Sequence, residues 1–189
     1  MKPKDDEKAK DILVATLKEV ESVGLSGLSM EAVAKRAKVA TGTVYIYFKN
    51  KTALVEALYL QTKHEFASNV LRANGDLPVR AAFQRMCVAF LDYLTKHKAE
   101  MVFITQVVNS PYLREKTRTE AALATAPLLE LLERGKRELL LKELDSHLMV
   151  TFLHGALREL APLLAAEPKV SRDERASEIA SLCWDALKA

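Results

Sequence analysis

Apolar residues recur along this chain every three or four positions, from Ile12 almost to the last residue, and hardly anywhere alternate with polar ones. That period lines them along one face of a helix and argues against long half-buried strands. Six glycines and six prolines in 189 residues leave little room for a turn-rich β fold. The expected fold is all-α: about nine helices, with a small three-helix head at the N-terminus and a larger helical body behind it.

Ile12, Leu13, Thr16, Leu17, Val20 and Val23 share one stripe and define a first helix over 5–23. Asp5, Asp6 and Glu7 favour its positive end, and Gly24 stops it before a loop over 25–27. Ser29 is a natural cap for a second helix over 30–37, with Glu31 in its first turn. Lys38 and Val39 make a turn, and a third helix runs from Ala40 or Thr41 to Tyr47 or Phe48. Asn50 caps a fourth helix that continues to 73 and stops at Asn74-Gly75. A fifth covers 77–97, and a sixth covers 99–109 before Pro111. The seventh spans 113–134 with a kink or break at Pro127; Gly135 punctuates it and a helical stub follows over 137–141. The eighth, over 145–165, is apolar on more than one face. Ser171-Arg-Asp-Glu174 fits a capping box that opens the ninth. No linker rich in Pro, Gly or Ser intervenes, so the head is expected over 1–51 and the body over 52–189, with the fourth helix running from one into the other.

Several function classes find no support. The first ten residues are charged and lack an apolar signal core, and no run is long and apolar enough to span a membrane. A cytoplasmic protein without a membrane partner is expected. Cys87 and Cys183 are far apart, sit among apolar neighbours and read as small buried hydrophobes. His147 and His154 lie seven apart, too far for a simple paired metal site. No nucleophile–base pair or phosphate loop is present, so neither an enzyme nor a metal or other cofactor is expected.

The net charge of +3 is modest, but it is concentrated. Residues 31–51 alone carry +4, and the other 168 residues sum to −1. The same stretch reads as two short helices joined by a tight turn, the geometry in which one helix braces on the DNA backbone and the second enters the major groove. A groove-reading helix needs small residues where its backbone approaches the duplex, and Thr41, Gly42 and Thr43 satisfy that. Tyr45 and Tyr47 can reach phosphates or thymine methyls, although tyrosine also packs readily. Lys49 and Lys51 are phosphate partners by charge, and Val39, Val44 and Phe48 are the buried anchors. Lys35 and Arg36 stay divided between solvent and phosphate.

The run Val39-Ala-Thr-Gly-Thr-Val-Tyr-Ile-Tyr-Phe-Lys-Asn-Lys51, followed by Ala53-Leu54, resembles the tetracycline-repressor-like (TetR) family of bacterial transcriptional regulators. Leu28-Ser-Met-Glu-Ala-Val-Ala-Lys-Arg-Ala37, Gly24 and the first helical stripe match as well, so the resemblance covers 12–58. It implies that Thr41, Gly42, Thr43, Tyr45 and Tyr47 face DNA, with Lys51 on the backbone and Ser29 both capping its helix and touching a phosphate. Two residues depart from the family pattern. Lys38 stands where the turn usually has glycine, so positive φ is expected there. Ala40 replaces the usual serine cap, part of whose role Thr41 could assume.

The resemblance further implies a homodimer through the last two long helices and a small-molecule effector pocket in the body. Phe66, Phe83, Met86, Phe90 and Phe103 could line such a pocket, with Gln106 and Val107 beside them, and plain core packing is the competing reading. Their apolar character points to a hydrophobic or amphipathic effector. The function implied is a one-component, ligand-responsive regulator of operator DNA, most of the family being repressors. A helical protein-interaction adaptor and an all-helical enzyme are the alternatives.

Overall fold

A computed structural model describes residues 3–71, 77–166 and 168–189. The predicted stop at Asn74-Gly75 lies outside them. The described helices are α1 (Pro3–Gly27), α2 (Met30–Ala37), α3 (Thr41–Tyr47), α4 (Lys51–Val70), α5 (Val79–Lys96), α6 (Lys98–Val108), α7 (Glu115–Ala122), α8 (Ala126–Arg137), α9 (Ser146–Ala166) and α10 (Lys169–Leu187). Among the described residues the extended pairing is one isolated antiparallel bridge between Leu141 and Lys188.

The chain groups into two compact units. The first holds α1, α2, α3, the part of α4 up to His64, α6 and α7. Its core is Ile12, Val20, Leu28, Val33, Val44, Leu54, Val55, Leu58, Phe103 and Val107, all nearly inaccessible to solvent. α1 packs on both α2 and α6, and α2 packs on α3. α1 breaks at Gly24, whose φ of 72° suits a residue without Cβ. The break frees the Leu25 amide, which donates to Gln106 Oε1 at 2.8 Å. Helical turn resumes to Gly27 where a loop was expected. The break also ends the apolar stripe, so Val23, expected inside, is 47% exposed.

The second unit holds the remainder of α4 with α5, and then α8, α9 and α10. α5 packs against α8, α9 and α10, burying Phe83, Leu91, Leu132, Met149, Leu153, Leu157 and Leu164. Cys87 and Cys183 are free and buried there.

Of the kink or break expected at Pro127, the chain has the break: a 3-10 turn over Leu123–Thr125 makes it, and Pro127 sits in the first turn of α8, where a missing N–H costs nothing. Other local expectations are corrected. Gly135 does not end α8 but lies inside it. A Cβ there would stand 2.5 Å from Leu141 Cδ1, so the position is bare because Leu141 occupies the space. The left-handed residue that follows α8 is Leu139 at φ 57°, and the expected stub over 137–141 is a turn leading into the Leu141 bridge. The Ser171 capping box is also absent. Pro168 occupies the cap position, α10 starts at Lys169, and the Ser171 hydroxyl donates back to the Pro168 carbonyl at 3.1 Å.

Candidate nucleic-acid interface

Ser29, with extended φ and ψ, caps α2 by accepting from the Ala32 amide at 3.1 Å. α2 ends at Lys38, whose φ of 57° and ψ of 41° place it in the left-handed region, as its substitution for glycine predicts. Bonds from Lys38 N to Lys35 O and from Val39 N to Ala34 O close the turn. α3 then starts from Ala40 without any capping side chain, so Thr41 does not take over the cap.

At about 100° per residue, the seven residues of α3 divide into three sectors. Val44 is fully buried and marks the inner pole, with Phe48 anchoring the end. Thr41 and Tyr45 lie on one flank, Thr43 and Tyr47 on the other. Gly42 and Ile46 flank the pole opposite Val44. Tyr45 is 46% exposed, whereas Tyr47 is half-buried against the core. A Cβ on Gly42 would meet nothing within 4 Å, so the glycine leaves open space rather than relieving a clash. Ile46 was passed over by motif reasoning, yet at 81% it is among the most exposed large apolar residues described. The signal available was its place two residues beyond the buried Val44.

The cations divide into two groups. Lys35, Lys38 and Lys49 are exposed beside α3. Arg36 is tied to the buried Glu19 of α1 at 2.6 Å, which braces α2 on α1. Lys51 lies 4.9 Å from the Tyr112 ring centre and donates to the Ser26 carbonyl at 3.4 Å. Its ammonium therefore stays next to the last turn of α1, ahead of Ser29.

One polar node in this unit was not foreseen. Glu56 on α4 is 5% exposed and accepts four kinds of donor: the Arg114 amide (3.2 Å), Arg114 Nε (2.8 and 3.0 Å), Arg114 Nη2, and the Thr117 hydroxyl (2.6 Å). The Arg114 guanidinium bond, with the Thr117 and backbone bonds behind it, outweighs burial and holds the carboxyl at about 2. α4 is thereby joined to the start of α7. Its trace in the sequence is a lone acid within the apolar run Ala53-Leu-Val-Glu-Ala-Leu58.

The seven expected pocket residues fall in two groups. Phe66, Phe83, Met86 and Phe90 are buried in the second unit. There Phe66 meets Phe90 and Tyr93 edge-on, with ring centres 4.7 and 5.3 Å apart, and His154 lies 5.2 Å from Phe90. Phe103 and Val107 are fully buried in the core of the first unit, and Gln106 is the partner of Leu25 described above. His147 is exposed on α9. Among the described residues no three potential metal ligands converge, and no helix is long and apolar enough to cross a membrane.

On the outer side of α9, Leu148, Phe152, Gly155, Glu159 and Leu163 form one stripe, and Leu148, Phe152 and Leu163 are 44–58% exposed. Glu174, Ser177, Glu178, Ser181, Leu182 and Asp185 share one open face of α10, with Leu182 62% exposed. Leu157, by contrast, is fully buried.

Comparison with known proteins places both parts of the chain. The profile described as bacterial regulatory proteins, tetR family, matches residues 12–58, and that of the tetracyclin repressor-like C-terminal domain matches 56–189. The HTH-type transcriptional regulator BetI of Burkholderia thailandensis is 31% identical over 110 residues, covering 54% of this chain and 56% of that protein. The chain thus spans little more than half the length of that relative. A TetR-family protein from Vibrio parahaemolyticus superposes with a TM-score of 0.83 at 26% identity, over 96% of this chain and 99% of the other. A TetR-family transcription regulator from Marinobacter aquaeolei VT8 shares the fold with a TM-score of 0.87 over 100% and 99% of the two chains, at 22% identity.

Proposed function

Because this chain belongs to the tetR family of bacterial regulatory proteins, we propose that it is a one-component transcriptional regulator that binds operator DNA in the cytoplasm, as a repressor, and does not act as an enzyme. The observation that carries this reading is the division of α3, which anchors Val44 inward and turns Thr41, Gly42, Thr43 and Tyr45 outward beside Lys35, Lys38 and Lys49. Thr43, Tyr45 and Tyr47 serve as flank contacts, Gly42 permits close approach, and Lys49, Lys51 and Ser29 engage phosphates.

The working unit is a homodimer through the outer faces of α9 and α10. Its two reading heads meet successive major grooves roughly 34–36 Å apart. A hydrophobic or amphipathic effector binds the body and releases DNA by preferring a different separation of the heads, which it can do only through unequal affinity for the two arrangements. The buried aromatic and sulfur-bearing set Phe66, Phe83, Met86 and Phe90 supports an apolar site in the second unit. The experiment is selection of duplexes from a random pool, followed by affinity measurement over a salt series. Selected DNA should be held at least about a thousandfold more tightly than random DNA. Lys51→Ala should make the log K against log salt slope shallower by about one unit. Equal affinity for selected and random DNA would reject the regulator and favour the adaptor reading.

A further inference from the structure

The geometry points to Ile46 as a base-reading residue of α3 that recognises the C5 methyl group of a thymine in the major groove. The inference rests on the DNA-binding reading above and adds to it the identity of one base contact. Ile46 and Gly42 are each two residues from the fully buried Val44, so each lies about 160° around the helix from it, on the outermost ridge. A helix lying in the major groove turns that ridge to the floor, where base edges are, and its flanks to the walls, where phosphates are. The flanks here carry hydroxyls, on Thr41, Thr43, Tyr45 and Tyr47, as phosphate walls require. The ridge carries no hydrogen-bonding side chain: its first position is a glycine with open space around it, and its second is an isoleucine 81% exposed.

A glycine one turn before Ile46 lets the helix settle deeply, which brings the Ile46 side chain to the floor. The floor offers hydrogen-bonding groups at every base pair, and the thymine methyl is the one apolar feature among them. An isoleucine pressed against a carbonyl or amino group would desolvate it without return, so the same side chain that gains from a methyl disfavours the other bases. The surrounding Lys35, Lys38 and Lys49 are exposed cations and fit a polyanion rather than an apolar protein surface.

The test uses the full-length protein and a duplex selected by the wild type from a random pool. Each thymine of one half-site is replaced in turn by deoxyuridine, which keeps the pairing and every hydrogen-bonding atom but lacks the C5 methyl. At one position the wild type should lose about 3- to 10-fold in affinity, the scale of one buried methyl group with its packing. Ile46→Ala should bind the thymine and uracil duplexes equally, while Ile46→Val should retain most of the discrimination. Thermal midpoints of the variants should match the wild type, because the side chain is in solvent. If no thymine position is sensitive, or if Ile46→Ala shows the same methyl sensitivity as the wild type, Ile46 is not the reader although the regulator stands. Failure of the wild type to select any duplex overturns both.

Discussion

Two faces of this chain leave large apolar side chains in water, and the charges around them are arranged differently. On α3, Tyr45 and Ile46 stand among Lys35, Lys38 and Lys49. Along α9 and α10, Leu148, Phe152, Leu163 and Leu182 stand among acids that are mostly paired with neighbouring bases: Glu159 with Arg158, Glu178 with Arg175 and Asp185 with Lys188. Exposed apolar area alone therefore says little about what covers a face. The local charge decides: a polyanion is drawn to the exposed lysines of the first, whereas the second offers it mostly ion pairs that already balance. The second has apolar area suited to another protein surface, and its acids are best left at a solvated rim.

The largest effect should come from breaking the α9 and α10 face while leaving the α3 face intact. Leu182→Glu puts a charge in the middle of this α10 face and should give monomers in sedimentation. Losing the second head should cost about 100-fold or more in operator affinity, since the linked site acts at high effective concentration. Dimers that persist would show that the partner face lies elsewhere. Leu157→Glu serves as the contrast: buried in its own protomer, it should unfold the second unit rather than divide a dimer.

A middle-sized effect separates the first unit from the second. Glu56→Gln replaces a carboxylate that accepts from Arg114 and Thr117 by an amide that must place a donor against donors. A loss of about 2–3 kcal/mol in urea unfolding is expected, with the oligomeric state unchanged. The pH dependence follows from the sign of the shift. The carboxyl of Glu56 is held at about 2 in the folded chain against 4.5 for the free group, so its stabilisation is complete above 4.5 and is lost as pH falls towards 2. The wild type should therefore lose more stability between pH 4.5 and 2 than Glu56→Gln does. Parallel acid profiles would remove the node from the stability of this unit.

Most of the head was legible from sequence because its signals are local. The Ser29 cap and the buried Val44 follow from residues a few positions away, and the left-handed Lys38 from the glycine that the family pattern has in that turn. What could not be read depends on distant partners. Gly135 resembles a helix stop until Leu141 is seen filling its place, and Ser171 resembles a cap until Pro168 is seen to start the helix earlier. Gln106 resembled a pocket residue because nothing nearby in sequence shows that the break at Gly24 frees an amide for it. The grouping of α6 and α7 with α1 to α3 likewise arises from contacts across some 80 residues, such as Leu25 with Gln106, to which periodicity is blind. The DNA-facing residues were chosen by motif, and the motif drew attention to hydroxyls and lysines. It passed over Ile46 because apolar residues in a helix are read as core.

Lys38 carries a consequence for anyone who would engineer this protein. A lysine held at φ 57° sits about 1 kcal/mol above a glycine in the same turn. Lys38→Gly should therefore raise the thermal midpoint slightly, while removing an exposed cation beside α3 and weakening DNA affinity with a shallower salt slope. A variant more stable yet no weaker on DNA would show the charge to be idle. Selection for heat resistance and selection for operator occupancy would then pull this one position in opposite directions, and a library screened on folding alone would drift toward a sturdier protein that regulates less well.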